Sequence, residues 1–178
     1  MASISPCRRG SNRMRAKVLL FIAALLSSAS ALAQSATPPG EQPVAPYQQS
    51  NANAGAAPLT DTRTFEAFHG VEGIRRIVSD TIDRSAADPR LAEIFVAHDL
   101  VRIKRTLTEQ ICYVLGGPCT YTGRDMASAH RDLGVQTRDF NILVEHLRDA
   151  MRREHVPFRA QNRLLAILAP MHRDVVAR

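Results

Sequence analysis

Leu100, Ile103, Leu107, Ile111 and Val114 recur at steps of three and four, and the chain then meets Gly116-Gly117-Pro118. Apolar residues at that period define one face of an α-helix, and a Gly-Gly-Pro run ends the helix abruptly. The same period returns on both sides. Val71, Ile74, Ile77, Val78, Thr81 and Ile82 make an earlier long face. Phe140, Leu143, Leu147 and Met151 make a later one, with Thr137 and Asp139 near its start. Leu164, Leu165, Ile167, Leu168, Met171 and Val175 make the last, read here as one helix. Asp88-Pro89 opens a short segment carrying Leu91, Ile94 and Phe95, because proline suits a first helical turn. Residues from Arg124 to about Arg131 form a brief helix that stops near Gly134. With no alternating apolar run and no internal repeat, the expected class is all-α. Short glycine-punctuated helices in the middle of the chain do not fill a core well; a flat apolar cofactor would complete one, and an ordinary compact helical domain is the alternative.

The amino terminus follows different rules. Arg8, Arg9, Arg13, Arg15 and Lys17 precede an unbroken apolar run from Val18 to Leu26, and small residues lead to Ala31-Leu32-Ala33. That is the order of a secretory signal peptide, expected over residues 1–33, and the run is short of the ~20 residues that span a bilayer. The expectation is an exported protein, periplasmic or secreted, with no stable membrane span after cleavage; an uncleaved anchor is the alternative. The chain carries +6 overall, yet beyond residue 33 eighteen basic residues face seventeen acidic ones. The mature part is therefore close to neutral, and nucleic acid is not an expected partner. Residues 34–60 are rich in Pro, Ala, Asn and Gln, with Glu41 as the sole charge. With little to bury, they are expected to form a flexible tether, the alternative being an arm that hugs the surface. Residues 61–178 hold the folded domain.

His130 follows Met126 by four and precedes Leu133 by three, which puts it on the inward face of its short helix. On spacing alone the expectation is a buried histidine bonded to backbone, a metal ligand being the alternative that an inward neutral imidazole allows. His69, His98, His146, His155 and His172 lack metal-ligand spacing, with His98 alone placed to approach a pocket beside the helix that follows it. Cys112 and Cys119 are the cysteines outside the signal. Cys112 is expected on the helix flank and Cys119 free in the loop, since the helix end must let both sulfurs meet; a disulfide is the alternative that export permits.

Gly116-Gly117-Pro118, Tyr121-Thr122-Gly123-Arg124-Asp125-Met126, Ala129-His130 and Leu133-Gly134-Val135 together resemble the centre of the group 1 truncated haemoglobins. Ala87-Asp88-Pro89-Arg90-Leu91, Phe95 and Leu100 with Arg102-Ile103-Lys104 continue the likeness upstream, as do Phe140, His146-Leu147, Val156-Pro157 and Leu168-Ala169-Pro170 downstream. The resemblance spans nearly all of residues 65–177. It implies a two-over-two helical sandwich holding haem b non-covalently, in keeping with the absence of Cys-x-x-Cys-His. His130 would be the iron ligand and Phe95 would pack on the haem face. Leu100, Ile103, Leu107, Ile111, Met126, Val135, Phe140 and Leu143 would line the site, and Lys104 and Tyr121 would lie near the haem edge, Lys104 otherwise being an ordinary solvated charge.

This chain departs from the family on the distal side. Ile82 stands where many relatives have tyrosine, Leu107 where glutamine is frequent, and Thr106 where some carry a histidine that ligates iron. Ile82, Ile103 and Leu107 thus describe an apolar distal pocket, with Thr81, Thr106 and Gln110 as reserve donors. The expected function is capture of a diatomic gas (O2, CO or NO), with a reductant of unknown identity. The alternatives are a haem enzyme (nitric oxide dioxygenase or weak peroxidase) and a haem-free helical interaction module.

Overall fold

The computed structural model describes Met1 and residues 37–176. The expected signal peptide otherwise lies outside the described residues. From residue 37 onward the elements are α1 (Arg63–Ala67), α2 (Gly70–Ala87), α3 (Ala92–Phe95), α4 (Leu100–Val114), α5 (Met126–His130), α6 (Thr137–Arg153), α7 (Phe158–Leu168) and α8 (His172–Val175), with single 3-10 turns at Asn51–Ala54 and Ala169–Met171. No strand occurs among the described residues, as the periodicity predicts. α2 lies against both α4 and α6, α1 touches α7, and α8 packs on α5 and α6. The pair α2–α4 and the pair formed by α6 with α7–α8 make a two-over-two sandwich.

α2 shows why burial outweighs propensity here. Its β-branched residues cost a few tenths of a kcal/mol each in a helix (roughly up to 0.7 relative to alanine). Ile74, Ile77, Val78 and Ile82 are at most 2% exposed, and a fully buried side chain of this kind contributes about 1.5–3 kcal/mol. The helix exists because its face is covered. Its entry is tight: His69 and Gly70 both take left-handed backbone, and a Cβ at Gly73 would sit 2.0 Å from the Phe68 carbonyl oxygen. The separate helix α1 was not expected, and this turn is what divides it from α2.

α4 begins with the Asp99 carboxylate accepting from the Arg102 amide at 3.0 Å. It ends with Gly116 at φ 79°, the Gly116 amide donating to the Tyr113 carbonyl and Gly117 to that of Cys112, a Schellman closure of the kind glycine favours. α6 closes the same way through His155 and Val156, though there the left-handed position is held by a histidine at φ 58°. At its start the Asp139 carboxylate accepts from the Gln136 amide at 2.9 Å. Two smaller expectations shift. Pro89 lies in the turn before α3 instead of its first helical turn, and the last helix breaks at Ala169-Pro170-Met171 because proline cannot continue the ladder.

The structure corrects two larger expectations. Cys112 and Cys119 form a disulfide, with their Cα atoms 5.8 Å apart. The Gly116-Gly117 turn reverses the chain so closely that a Cβ at Gly117 would lie 2.7 Å from the Cys112 sulfur, which is what lets the sulfurs meet. Residues 37–60 are an arm packed on the domain, not a tether. Tyr47 donates to the Thr122 carbonyl at 2.8 Å, Asn53 to that of Gly123 at 3.2 Å, the Tyr121 amide to Asn51 at 2.8 Å, and the Leu59 amide to the Val114 carbonyl at 3.0 Å. The Glu41 carboxylate, its side chain 1% exposed, pairs with Arg102 and Arg105. The composition lacks bulk to bury, but its amides and one charge complete polar groups of the domain. Among the described residues no helix is long and apolar enough to cross a membrane.

Candidate functional site

α5 is a five-residue helix whose first turn is capped by Asp125, the carboxylate accepting from the Ser128 amide at 2.9 Å. That amide holds the Asp125 carboxyl below its usual pKa. His130 closes the helix. Its Nδ1 lies 2.8 Å from the Met126 carbonyl oxygen. A carbonyl only accepts, so Nδ1 carries the proton and Nε2 presents a lone pair. No hydrogen-bond partner for Nε2 occurs among the described residues. Burial pushes the imidazole pKa below its ordinary value, which favours the neutral form. Both sequence readings of His130 meet here: one ring nitrogen is bonded to backbone, and the other is left with the protonation a metal requires.

The expected lining residues fall into two groups. Ile111, Tyr121, Met126 and Val135 are buried, while Phe95, Leu100, Ile103, Lys104, Leu107, Phe140 and Leu143 are only half-buried. Phe95, Leu100, Ile103 and Leu107, packed on the core yet unsealed, are the surface a flat apolar group would cover. Phe140 also meets His172 in a T-shaped arrangement, the ring centroids 4.9 Å apart. Apolar walls and a neutral, half-free imidazole fit a haem.

The edge residues are otherwise engaged. Lys104 Nζ donates to Asp83 at 2.6 Å, joining α4 to α2. The Tyr121 hydroxyl donates to the Arg124 carbonyl at 2.8 Å, and burial raises its phenol pKa. Tyr121 thus holds the loop before α5 together. His98 is exposed. Of the residues expected on the distal side, Ile82 is buried, and each reserve donor has a partner. Thr81 donates to the Ile77 carbonyl at 2.7 Å, Thr106 to that of Arg102 at 2.9 Å, and Gln110 to that of Ala54 at 2.8 Å. Two surface clefts, one lined by Arg76, Asp80 and Arg153 and one by Val71, Lys104 and Cys119, include neither His130 nor Phe95.

Sequence reasoning missed the contacts that the arm makes behind α5, where Ala54, Gln110, Met126 and Met171 meet. It also missed a corner between α2 and α6. There His146 lies 3.0 Å from Ser85 Oγ through Nδ1 and 3.3 Å from Asp88 through Nε2. The Ser85 hydroxyl is already directed to the Thr81 carbonyl at 2.8 Å, so this trio joins helices and offers no nucleophile. The Asp88 carboxyl is drawn down to about 2, chiefly by Arg90. Neither cluster has a local pattern, since each joins residues far apart in the chain.

Residues 63–177 match the model of the bacterial-like globin family. The group 1 truncated haemoglobin GlbN of Mycolicibacterium paratuberculosis is 28% identical over 111 residues, covering 62% of this chain and 82% of that protein. The haemoglobin of the thermophilic phototroph Chloroflexus aurantiacus superposes with a TM-score of 0.57 at 26% identity, over 65% of this chain and 98% of that one. The ferric truncated haemoglobin of Tetrahymena pyriformis, at 22% identity and TM-score 0.61 over the same shares, has the same fold. By sequence over most of the domain and by architecture, the chain belongs to the bacterial-like globin family, alongside the group 1 truncated haemoglobins.

Proposed function

We propose that this is an exported haem protein that reversibly binds a diatomic gas on a distal side almost without hydrogen-bond donors. As in its family, the cofactor is haem b, held without a covalent link. The observation that carries the reading is His130: neutral, oriented through Nδ1, and with no partner for Nε2 among the described residues. Haem would supply an iron with one position open to a small gas. His130 would ligate it from one side, Phe95, Phe140 and Leu143 would cover its faces and keep water away, and Ile82, Ile103 and Leu107 would line the gas side.

The engaged hydroxyls of Thr81 and Thr106 support an apolar distal side, because a proton given to a backbone carbonyl is not offered to a ligand. A peroxidase would need a polar distal group for acid–base work, and a dioxygenase a donor that retains dioxygen; neither is supported by these side chains. Export is supported by the signal-like amino terminus and by the Cys112–Cys119 disulfide, since disulfides persist in oxidising compartments. Amino-terminal sequencing of the protein recovered from a cell envelope fraction should begin at Gln34; recovery of unprocessed chain in the cytosol would refute export.

The functional test is the visible spectrum of the haem-loaded protein beside that of His130→Ala. A Soret band, a five-coordinate ferrous spectrum and loss or alteration of both in the variant are expected. Wild-type protein that retains no haem would overturn the reading and leave a helical interaction module in its place.

A further inference from the structure

Gln110 projects from α4 into a buried junction between three other parts of the molecule. Its side-chain nitrogen is 2.8 Å from the Ala54 carbonyl oxygen in the arm, 3.4 Å from the Met126 sulfur and 3.5 Å from the Met171 sulfur. An amide nitrogen has two hydrogens, so one serves the carbonyl and the other faces the thioethers, which are weak acceptors. The next arm residue, Gly55, turns at φ 81°, and a Cβ there would meet the Met171 methyl at 3.0 Å, its sulfur at 3.1 Å and Met126 Cγ at 3.3 Å. The arm is therefore seated directly on both methionines.

Met126 is the first residue of α5, and its carbonyl accepts the His130 Nδ1 proton. A helix of five residues does not hold its shape alone, because nucleation costs more than so few bonds return. α5 depends on what presses against it: α8 on one side, and Gln110 with the arm behind Met126. We propose that residues 50–59 and Gln110 form a proximal buttress that fixes α5 and, through the Met126 carbonyl, the orientation of the His130 ring. Gln110 is thus a positioning residue acting on a ligand it does not touch. The inference rests on the reading of His130 as iron ligand.

The arm reaches α5 after running along α4. The Gln42 amide donates to Asp99 at 2.7 Å near the start of that helix, and the Leu59 amide bonds Val114 at its end. One segment therefore couples the helix that carries the distal residues to the helix that carries the proximal histidine. In relatives lacking such an arm, this connection between the two sides of the haem would be absent.

The test compares the haem-loaded, ferrous full chain with Gly55→Val, which forces bulk onto the methionines, and Gln110→Leu, which keeps volume but removes both amide hydrogens. Tyr47→Phe, which removes an arm bond to the Thr122 carbonyl in the loop before α5 and leaves Gln110 and both methionines untouched, is the control. Both buttress variants should shift the iron–histidine stretching band and, in haem-free protein, speed amide exchange across residues 127–130 by about tenfold or more, while Tyr47→Phe changes neither. An unmoved band together with unchanged exchange in folded Gln110→Leu would overturn the buttress, whatever Gly55→Val does to folding. A wild-type band that is absent, or that survives His130→Ala, would instead refute the ligand reading, and the haem-free exchange result then decides the buttress alone.

Discussion

His130 gives its Nδ1 proton to the carbonyl of Met126, 2.8 Å away and one helical turn earlier. This bond settles the tautomer, orients the ring, and leaves Nε2 as the lone pair of a half-buried, neutral imidazole.

The neutral state makes stability depend on pH. The folded pKa of His130 lies below the ordinary 6.5 because burial disfavours its charge. Below 6.5 the unfolded chain takes up a proton that the folded chain refuses, so this contribution is complete above that value and is lost as pH falls through the folded pKa. Haem-free protein should therefore melt at lower temperature as pH drops from 7 towards 5, as followed by circular dichroism. His130→Leu should flatten the slope; an unchanged slope would assign it to other groups.

Leu107→Gln would restore a donor to the distal side. A hydrogen bond to a charged acceptor contributes roughly 1.5–3 kcal/mol, so dioxygen dissociation should slow by about tenfold to a hundredfold. Carbon monoxide release should change far less. Stopped-flow dissociation rates check both, and a wild-type protein that already releases dioxygen slowly would show that a donor reaches the pocket after all.

The Cys112–Cys119 bridge closes a short loop at the end of α4. Replacing both cysteines with serine should lower unfolding free energy by about 2–3 kcal/mol in denaturant titration. Intact protein alkylated without reductant should show no free thiol at these positions by mass spectrometry.

His155 occupies left-handed backbone at φ 58°, where a side chain costs of order 1 kcal/mol. It is exposed, and backbone amides make the closure of α6, with no hydrogen bond to its ring among the described residues. His155→Gly should therefore raise stability by about 0.5 kcal/mol, the relief being partly offset by the freedom glycine adds to the unfolded chain. A fall in melting temperature would mean that the imidazole contributes more than the strain.

What could be read from the chain beforehand was local. The stripe from Leu100 to Val114 gave α4, Gly116-Gly117-Pro118 gave its end, and the spacing of Met126 and His130 put the histidine on an inward face. The expectation that Ile82, Ile103 and Leu107 face the gas came from collinear motifs, that is, from resemblance and not from local pattern. The arm was misread for an equally physical reason: its residues bury little themselves, and the value of Glu41, Asn51 and Asn53 lies in partners 60 or more positions away.

By itself, then, the sequence determined the helical class and the main stops along the chain, because periodicity, glycine and proline act within a few residues. Tertiary structure decided which side chains became partners. It joined Cys112 to Cys119 through a glycine turn, used the hydroxyls of Thr81 and Thr106 within their own helices, and laid the arm on Gln110 and Met126. Whether a buried polar group is left to meet a ligand depends on which neighbours the completed fold brings to it, and no local pattern records them.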